Sequence, residues 1–397
     1  MIPTRYTIGI SLFIVLIAII FTYNNNSYNF NSIYSFNNIT TTTQTTSTTD
    51  NNKMRSIRNL ATELMKEDGA AHGYTPARFA KLKREYARYY ALKAPDNAFQ
   101  FTAGDWNQLY VPTSFDRSTC EFVLNTPRWN AVTSAMNWLM MFWYTKTDSM
   151  GYIGMGNMFI LSTDQYRSLF RMPTITNSHT TMTTTSSSSS SSTIEDDVAQ
   201  LPTASPSSLV RLGSLLDVGS GCGSTTEQLA PIFREVVTTE ASNGMLYSLR
   251  KKGFEAVYCT DLSTCTELAD RRHTFDVVSC LNVLDRCERP LTLLRSLKDF
   301  VKPGGRILIA VVFPFKPYVE FGGEDNKPFE KLDVNNKSCE EYIDSFITKV
   351  FNPLGFHVES FTRAPYISEG DKYYDNYVLT DTLFVLSIAN EGETMTT

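Results

Sequence analysis

The sequence lacks a surplus of positive charge, a C-x-x-C pair and an apolar run long enough for a confident transmembrane helix. Its net charge of −5 offers no overall attraction to a polyanion, which disfavours DNA or RNA as a partner. The seven cysteines are odd in number and unpaired in spacing, so we expect free thiols and no metal site. Hydrophobic residues nevertheless make up 42% of the 397 residues, which is enough for a sizeable folded core.

An apolar run over residues 8–21 lies near the N-terminus. It is shorter than the roughly 18–20 residues of a transmembrane helix, and no small-residue cleavage site follows it, so a signal peptide and an uncleaved signal anchor both stay open. Either predicts membrane attachment through this segment, in the endoplasmic reticulum or another secretory-pathway membrane. The N-x-[ST] sequons at Asn25, Asn38 and Asn336 add slightly to the expectation of a luminal glycoprotein.

Composition divides the chain into polar segments and regions able to fold. Residues 1–23 form the predicted signal segment, and residues 24–53 form an Asn- and Thr-rich tether that is too polar to build a core. Residues 54–172 are predicted to be a helical extension that packs on the main domain. Residues 173–208 form a Ser- and Thr-rich disordered insertion, which leaves residues 209–390 as the main domain.

The predicted extension contains two helical patterns of different character. Basic and aromatic residues are interleaved from residue 54 to about residue 94, which fits a solvated helix face or a surface that touches a membrane or partner. Residues 129–144 are rich in Trp, Met and Phe at helical spacing, which predicts a buried helix. After the apolar stretch 156–162, Ser162 or Thr163 is expected to cap a further helix.

From residue 209 apolar strand patterns alternate with helical segments, which predicts a mostly parallel, doubly wound sheet. The last two strand patterns, residues 356–361 and 382–386, predict a closing antiparallel edge. The predicted fold class is therefore α/β, a Rossmann-like sheet with a terminal antiparallel strand and an N-terminal helical extension. The five strands before that edge are predicted at residues 214–218, 236–240, 256–258, 275–281 and 306–312.

A glycine-rich turn follows the first of these strands, with the sequence Asp217-Val218-Gly219-Ser220-Gly221-Cys222-Gly223. Glycines there let the backbone approach a ligand closely and aim helix N–H groups at it. Ser224 stands where a dinucleotide fingerprint needs its third glycine, which favours S-adenosylmethionine over NAD. Glu240 ends the second strand about 20 residues on, where a carboxylate accepts ribose hydroxyls. Asp261 is a candidate for the adenine amino group, or a solvated loop acid. The predicted cofactor-binding residues are Asp217, Gly219, Ser220, Gly221, Gly223, Glu240, Asp261 and Asn282.

Two polar residues, Asn282 and Asp285, follow the fourth strand of the predicted sheet. Ligands of open α/β sheets bind outside the carboxyl ends of the strands, so this position is where a methyl acceptor would meet the cofactor. A helix cap and a surface ion pair with Arg286 are the alternative interpretation. Position favours the functional role, and we predict Asn282 and Asp285 as the catalytic residues.

Several segments resemble the methyltransferase-like protein 9 family of protein-histidine N-pros methyltransferases. The resemblance extends over about residues 150–388 and is interrupted by the Ser- and Thr-rich insertion. It rests on residues 276–294, 313–320 and 361–366, with residues 156–159, 369–371 and 377–379 in support.

The resemblance implies methyl transfer from S-adenosylmethionine to the N-pros nitrogen of histidine in proteins with His-x-His motifs. Asp285 would accept the distal N–H of the imidazole, which leaves the nearer nitrogen as the nucleophile, while Asn282 bridges cofactor and substrate. Tyr318 and Tyr366 are candidates for the walls of the imidazole pocket, or ordinary half-buried tyrosines. Arg363 is a candidate to bind substrate or to neutralise an acid, and we expect a monomer.

Two other functions remain open at this stage. The same fold would serve a small-molecule or carboxyl oxygen acceptor, although oxygen nucleophiles usually need a general base or metal. Neither His273, in a polar loop, nor His357, in an alternating strand, is placed to supply that base. A cofactor-binding scaffold without turnover is the second alternative, and the presence of Asn282 and Asp285 counts against it.

Overall fold

The computed structural model describes residues 74–91, 106–127, 131–173, 210–320, 324–371 and 373–389. Within these residues eight strands form one mixed sheet. The strands are β1 (Met158–Phe159), β2 (Leu212–Val218), β3 (Phe233–Glu240), β4 (Glu255–Tyr258), β5 (Phe275–Leu281), β6 (Val301–Phe313), β7 (Phe356–Glu369) and β8 (Asn376–Ile388).

The sheet has the order β1-β7-β8-β6-β5-β2-β3-β4. Strands β4, β3, β2, β5 and β6 are parallel, whereas β8 is antiparallel to both β6 and β7. This is the Rossmann-like methyltransferase arrangement predicted from the sequence, with the antiparallel addition at the C-terminal end of the chain. The predicted closing edge differs in detail, because β8 lies inside the sheet between β6 and β7, and β1 pairs with β7 at the outer edge.

Helices cover both faces of this sheet. They are α1 (Pro76–Tyr90), α2 (Arg117–Asn125), α3 (Ala131–Met140), α4 (Lys146–Ile153), α5 (Thr163–Leu169), α6 (Ser224–Leu229), α7 (Asn243–Lys251), α8 (Pro290–Leu297) and α9 (Cys339–Ser345). Successive residues of a strand point to opposite faces, so Leu215 packs in one buried cluster and Leu216 in the other. Ser162 caps α5 through a capping box with Gln165, which confirms the predicted helix start.

The segment predicted as a buried helix, residues 129–144, differs from expectation. Its helical part is α3, but Trp138, Phe142 and Trp143 are 65%, 63% and 69% exposed. The apolar residues therefore do not all face the main domain. Helical spacing identified the helix, but spacing alone does not show which faces of a helix a neighbouring element covers.

Parts of the sequence-based predictions lie outside the described residues. These are the apolar run at residues 8–21, the tether at residues 24–53 and almost all of the insertion at residues 173–208. No helix among the described residues has the length and apolar character needed to cross a bilayer.

Helix α4 packs against α7 through two glycines at a very close approach. A Cβ built on Gly151 would lie 2.2 Å from the carbonyl carbon of Gly244, and one built on Gly244 would lie 2.0 Å from the carbonyl oxygen of Asp148. The Asp148 carboxylate also accepts hydrogen bonds from Ser242 Oγ and the Gly244 N–H, at 2.6 and 2.9 Å. Residues from upstream of the main domain thus fix the start of α7, directly after β3.

Replacing Gly151 with alanine is expected to lower stability by about 1–3 kcal/mol, because the new methyl group overpacks the contact with Gly244. Gly154→Asn is the matched control, since Gly154 has a left-handed backbone and open space around it, and asparagine tolerates that conformation. Chemical denaturation of both variants measures the difference. Equal stability of the two variants would contradict the packing role of Gly151.

Candidate active site

The strand order reverses at β2, which lies between β3 and β5. At such a reversal the loops after neighbouring strands diverge and leave a crevice in which ligands bind. The loop after β2 contains Gly219, and the loop after β5 contains Val283. A Cβ on Gly219 would lie 2.6 Å from Val283 Cγ2, so the two loops meet at a point that only glycine permits.

Asp217, near the end of β2, lies beneath the glycine loop and hydrogen-bonds to the elements around it. Its carboxylate is almost fully buried and accepts hydrogen bonds from Thr226 Oγ1 and Ser279 Oγ, both at 2.6 Å. Burial raises its pKa, and the hydrogen bonds from Ser279, Thr226 and Ser220 act in the opposite direction. The structure therefore places Asp217 beneath the glycine loop, where it joins β2, β5 and α6.

The glycine loop has a left-handed backbone that glycine adopts without strain. Gly219, Gly221 and Gly223 all have positive φ angles, of 70°, 57° and 81°. A Cβ on Gly221 would approach no atom closer than Met158 Cε, at 3.5 Å, so this glycine borders space. Ser220 lies within the turn and donates its hydroxyl hydrogen to the carbonyl oxygen of Asp217 at 2.8 Å.

Glu240, at the end of β3, faces this loop. Its Oε2 accepts the Gly221 N–H at 2.8 Å, and its Oε1 accepts the N–H groups of Ala241 and Ser242 at 2.8 and 3.0 Å. A carboxylate has about four lone-pair sites, so Oε2 keeps one site for a ribose hydroxyl. Glu240 is therefore suited to bind the ribose of S-adenosylmethionine, and the glycine turn is suited to bind the methionine part next to it. Asp261 is exposed and accepts from Ser263 N–H and Oγ, so it caps a turn at the rim.

Residues upstream of the main domain complete the rim of the cofactor loop. The Met158 N–H donates to Ser224 Oγ at 2.8 Å, and Cys222 Sγ lies 3.2 Å from the carbonyl oxygen of Gly156. The hydroxyl of Tyr366, on β7, contacts Met158 Sδ. Tyr366 and the cofactor loop are thereby linked through Met158, a residue that the sequence did not single out.

Asn282, immediately after β5, has a constrained main chain and a side-chain amide that is hydrogen-bonded at one end only. Its φ is +56°, a left-handed value that is uncommon outside glycine. Its N–H donates to the carbonyl oxygen of Ala310 at 3.0 Å, which fixes the backbone to β6. Its Nδ2 donates to Asp381 Oδ2 at 2.7 Å, whereas its buried Oδ1 has no hydrogen-bond partner among the described residues.

Asp285 lies one turn further along the same loop and is also buried. Its Oδ2 pairs with Arg286 Nε at 3.4 Å, while Oδ1 has no hydrogen-bond partner within the described part of the chain. Burial raises its pKa, and the charge of Arg286 opposes that shift. The N–H of Tyr318, a half-exposed residue after β6, donates to the Asp285 carbonyl oxygen at 2.8 Å. The main chain of Tyr318 thus lies against Asp285, while its side chain is half exposed.

Asp381, on β8, is a site residue that the sequence analysis missed. It is completely buried, and burial together with the charge of Asp285 raises its pKa to about 8, against the hydrogen bond from Asn282. Its Oδ1 has no hydrogen-bond partner among the described residues. The sequence signal for Asp381 was a carboxylate next to the apolar run 382–386. Burying an unpaired charge in such a run costs free energy, so an acidic residue there points to a specific role.

The structure separates two of the predicted substrate contacts. Asp381 is the cross-strand partner of Ala364, so Ala364 and Tyr366 lie on the same face of β7 as Asp381. Arg363 lies on the other face, since residues three apart on a strand point to opposite sides. Its guanidinium contacts the carbonyl oxygen of Ala91 at the end of α1. Tyr366 therefore belongs with Asn282 and Asp285, whereas Arg363 anchors the upstream helix.

The sheet order, the glycine turn and the strand-end carboxylate define a class I methyltransferase domain whose cofactor is S-adenosylmethionine. The sequence profile of DREV methyltransferases matches residues 195–388, just under half of the chain. This match covers both the cofactor loop and the polar residues after β5.

Named relatives give a consistent but partial picture. A ubiquinone biosynthesis O-methyltransferase of Ruegeria pomeroyi is 37% identical over 95 residues, which cover 23% of this chain and 38% of that protein. The corresponding protein of Shewanella halifaxensis is 26% identical over 161 residues, with 35% and 68% covered. This chain thus spans well under half the length of the first of these relatives.

Solved structures also overlap this chain in part. The YcgJ protein of Bacillus subtilis overlaps with a TM-score of 0.31 at 13% identity, covering 46% of this chain and 94% of that one. The methyltransferase CalH, in complex with SAH, overlaps with a TM-score of 0.31 at 14% identity, covering 44% and 51%.

Removal of the Glu240 carboxylate is expected to weaken S-adenosylmethionine binding about ten- to a hundredfold, because hydrogen bonds to a charged group are lost. The test variant is Glu240→Ala, and isothermal titration calorimetry measures its affinity. Glu235→Ala, at an exposed position on the same strand, is the matched control. An affinity in Glu240→Ala equal to that of the control would remove Glu240 from the cofactor site.

The raised pKa of Asp381 predicts a pH dependence of stability. Between its ordinary value of 3.8 and about 8, the folded protein holds a proton that the unfolded chain releases. Stability from this group is therefore lost as the pH rises through that window. Asp381→Asn removes the titration, so its melting temperature relative to the wild type should rise from pH 5 to pH 8.

The matched control for this prediction is Asp333→Asn, because Asp333 is exposed and forms an ion pair with Lys349 at the surface. Thermal unfolding at several pH values gives the comparison. A difference between Asp381→Asn and the wild type that does not change with pH would show that Asp381 titrates normally.

Proposed function

We propose that the protein transfers the methyl group of S-adenosylmethionine to an imidazole nitrogen of histidine in a polypeptide substrate. The observation that supports this proposal is a set of three oxygens without hydrogen-bond partners among the described residues. They are Oδ1 of Asn282, Asp285 and Asp381, which belong to side chains linked by direct hydrogen bonding or by charge. The acceptor oxygens of Asn282 and Asp285 suit an N–H donor.

Charge favours a nitrogen acceptor over an oxygen acceptor in this pocket. The cofactor supplies a methyl group on a positively charged sulfur, which accepts the bonding electron pair when a lone pair attacks the carbon. A neutral imidazole becomes a cation when it is methylated, and the carboxylate of Asp285 stabilises that positive charge. A phenol must instead be ionised before attack, and the same carboxylate opposes a phenolate.

Asp285 has the most direct role in this proposal. Its free Oδ1 accepts the distal N–H of the imidazole, which selects the tautomer whose nearer nitrogen carries the lone pair. After transfer, the same carboxylate is placed to receive that N–H proton and so return the methylated ring to its neutral form. In this proposal the rings of Tyr366 and Tyr318 would line the acceptor position.

A second candidate is methylation of a small-molecule oxygen, and the named relatives favour it. The Ruegeria and Shewanella proteins are both ubiquinone biosynthesis O-methyltransferases. The matched stretches cover only 23% and 35% of this chain, and class I methyltransferases share a cofactor fold while differing in acceptor. The resemblance to the methyltransferase-like protein 9 family and the unpartnered oxygens after β5 support histidine as the acceptor.

The deciding experiment incubates the full chain with methyl-labelled cofactor and three acceptors: a His-Ala-His peptide, the same peptide with both histidines replaced by alanine, and a catechol. Label in the histidine peptide alone is the expected result, with mass spectrometry placing the methyl group on the imidazole. Label in the catechol, or equally in both peptides, would overturn the histidine proposal in favour of the second candidate or of nonspecific transfer.

Asp285→Asn is expected to slow methyl transfer at least about a hundredfold, because its amide does not take the imidazole proton. Cofactor affinity should stay unchanged, since no hydrogen bond or ion pair joins Asp285 to the glycine turn in the described part of the chain. Glu288→Gln, at an exposed position three residues away, serves as the control and should retain wild-type activity. Full activity in Asp285→Asn would show that another group handles the proton.

A further inference from the structure

We propose that Asp381 is a positioning residue that sets the direction of the Asn282 side-chain amide, so that Asn282 presents its oxygen to the methyl acceptor. This inference deepens the proposed function, on which it rests. It assigns a role to Asp381, near the middle of the antiparallel strand β8.

The amide of Asn282 has a donor end and an acceptor end, and rotation by half a turn exchanges them. Asp381 Oδ2 accepts a hydrogen bond when the side chain is ionised and also, with the proton on Oδ1, as the carbonyl oxygen of the protonated acid. Because Asn282 Nδ2 lies 2.7 Å from Asp381 Oδ2, the donor end is bound to β8 and the acceptor end, Oδ1, points elsewhere. The hydrogen bond to Asp381 thus fixes the orientation of the Asn282 amide and leaves its oxygen as the free acceptor.

The backbone of Asn282 is held independently of this hydrogen bond. Its N–H is bound to Ala310 on β6, and its φ of +56° keeps the residue at the end of β5. The side chain is then fixed from β8, two strands away from β5 in the sheet order. Two anchors on two strands define both the place and the orientation of one functional group.

The energetic cost of Asp381 argues against a purely structural role. An acidic side chain that is fully buried loses its hydration, and only one of its two oxygens is satisfied by the described residues. An apolar residue would fill the same place without that cost. We infer that the cost of burying Asp381 is offset when the oriented Asn282 amide and the unsatisfied oxygens bind the methyl acceptor.

The test compares Asp381→Leu, Asp381→Asn and the control Thr382→Val. Leucine offers no acceptor to Asn282, whereas the carbonyl oxygen of asparagine still accepts its Nδ2 hydrogen. Thr382 is the neighbouring buried residue on β8, and its hydroxyl has no hydrogen-bond partner among the described residues, so valine should be tolerated. Steady-state methyl transfer is measured with whichever acceptor the wild type methylates, alongside cofactor affinity by calorimetry.

The expected result is a fall in kcat of about tenfold or more in Asp381→Leu, with cofactor affinity within twofold of wild type. Asp381→Asn should recover most of that rate, and Thr382→Val should match the wild type. A kcat in Asp381→Leu within twofold of wild type overturns the proposal. So does an equal loss in Asp381→Asn and Asp381→Leu, because the retained acceptor would then have no effect.

A second measurement covers the case in which a variant folds poorly or the acceptor is not histidine. In nitrogen-labelled wild-type protein, the side-chain NH2 signal of Asn282 should show a hydrogen bond that is kept in Asp381→Asn and lost in Asp381→Leu. An unchanged signal in both variants contradicts the positioning role. Because this readout needs no acceptor, failure of the histidine assay alone overturns the proposed function and leaves Asp381 to be judged separately.

Discussion

The reversal of strand order between β2 and β5 is the constraint on which the functional site depends. It opens a crevice at the carboxyl ends of the two central strands. The loops on the two sides of the crevice carry different chemical groups. The loop after β2 provides glycines and backbone N–H groups next to Glu240. The loop after β5 provides Asn282 and Asp285. In the proposed function, cofactor and acceptor bind at separate loops, which meet at Gly219 and Val283.

Elements at both ends of the sequence complete this crevice. Helix α4 fixes the start of α7 through Asp148, and Met158 on β1 joins the cofactor loop to Tyr366. Strand β8, near the C-terminal end of the chain, brings Asp381 to Asn282. A site composed of such distant segments forms only when the whole sheet has assembled, so we attribute function to the full set of described elements and not to the glycine turn alone.

Local features were predictable from the sequence. Alternating patterns found the parallel strands, and the glycine turn with Glu240 about 20 residues later identified the cofactor. Asn282 and Asp285 were predicted as catalytic residues because ligands bind at strand ends in this fold class. Asp381 was not found, since its importance comes from pairing with a residue about a hundred positions away, and no local pattern reports such a contact. The exposure of Trp138 was also missed, because helical spacing does not show which faces of a helix a neighbouring element covers.

The central claim is that the acceptor oxygens after β5 receive an imidazole N–H beside the cofactor. A crystal structure of the full chain with S-adenosylhomocysteine and a His-Ala-His peptide tests it most directly. The account predicts an imidazole ring whose distal nitrogen lies within hydrogen-bonding distance of Asp285 Oδ1, next to Asn282 and Tyr366. A ring bound elsewhere, or a pocket that holds only water while cofactor product fills the glycine loop, would contradict it.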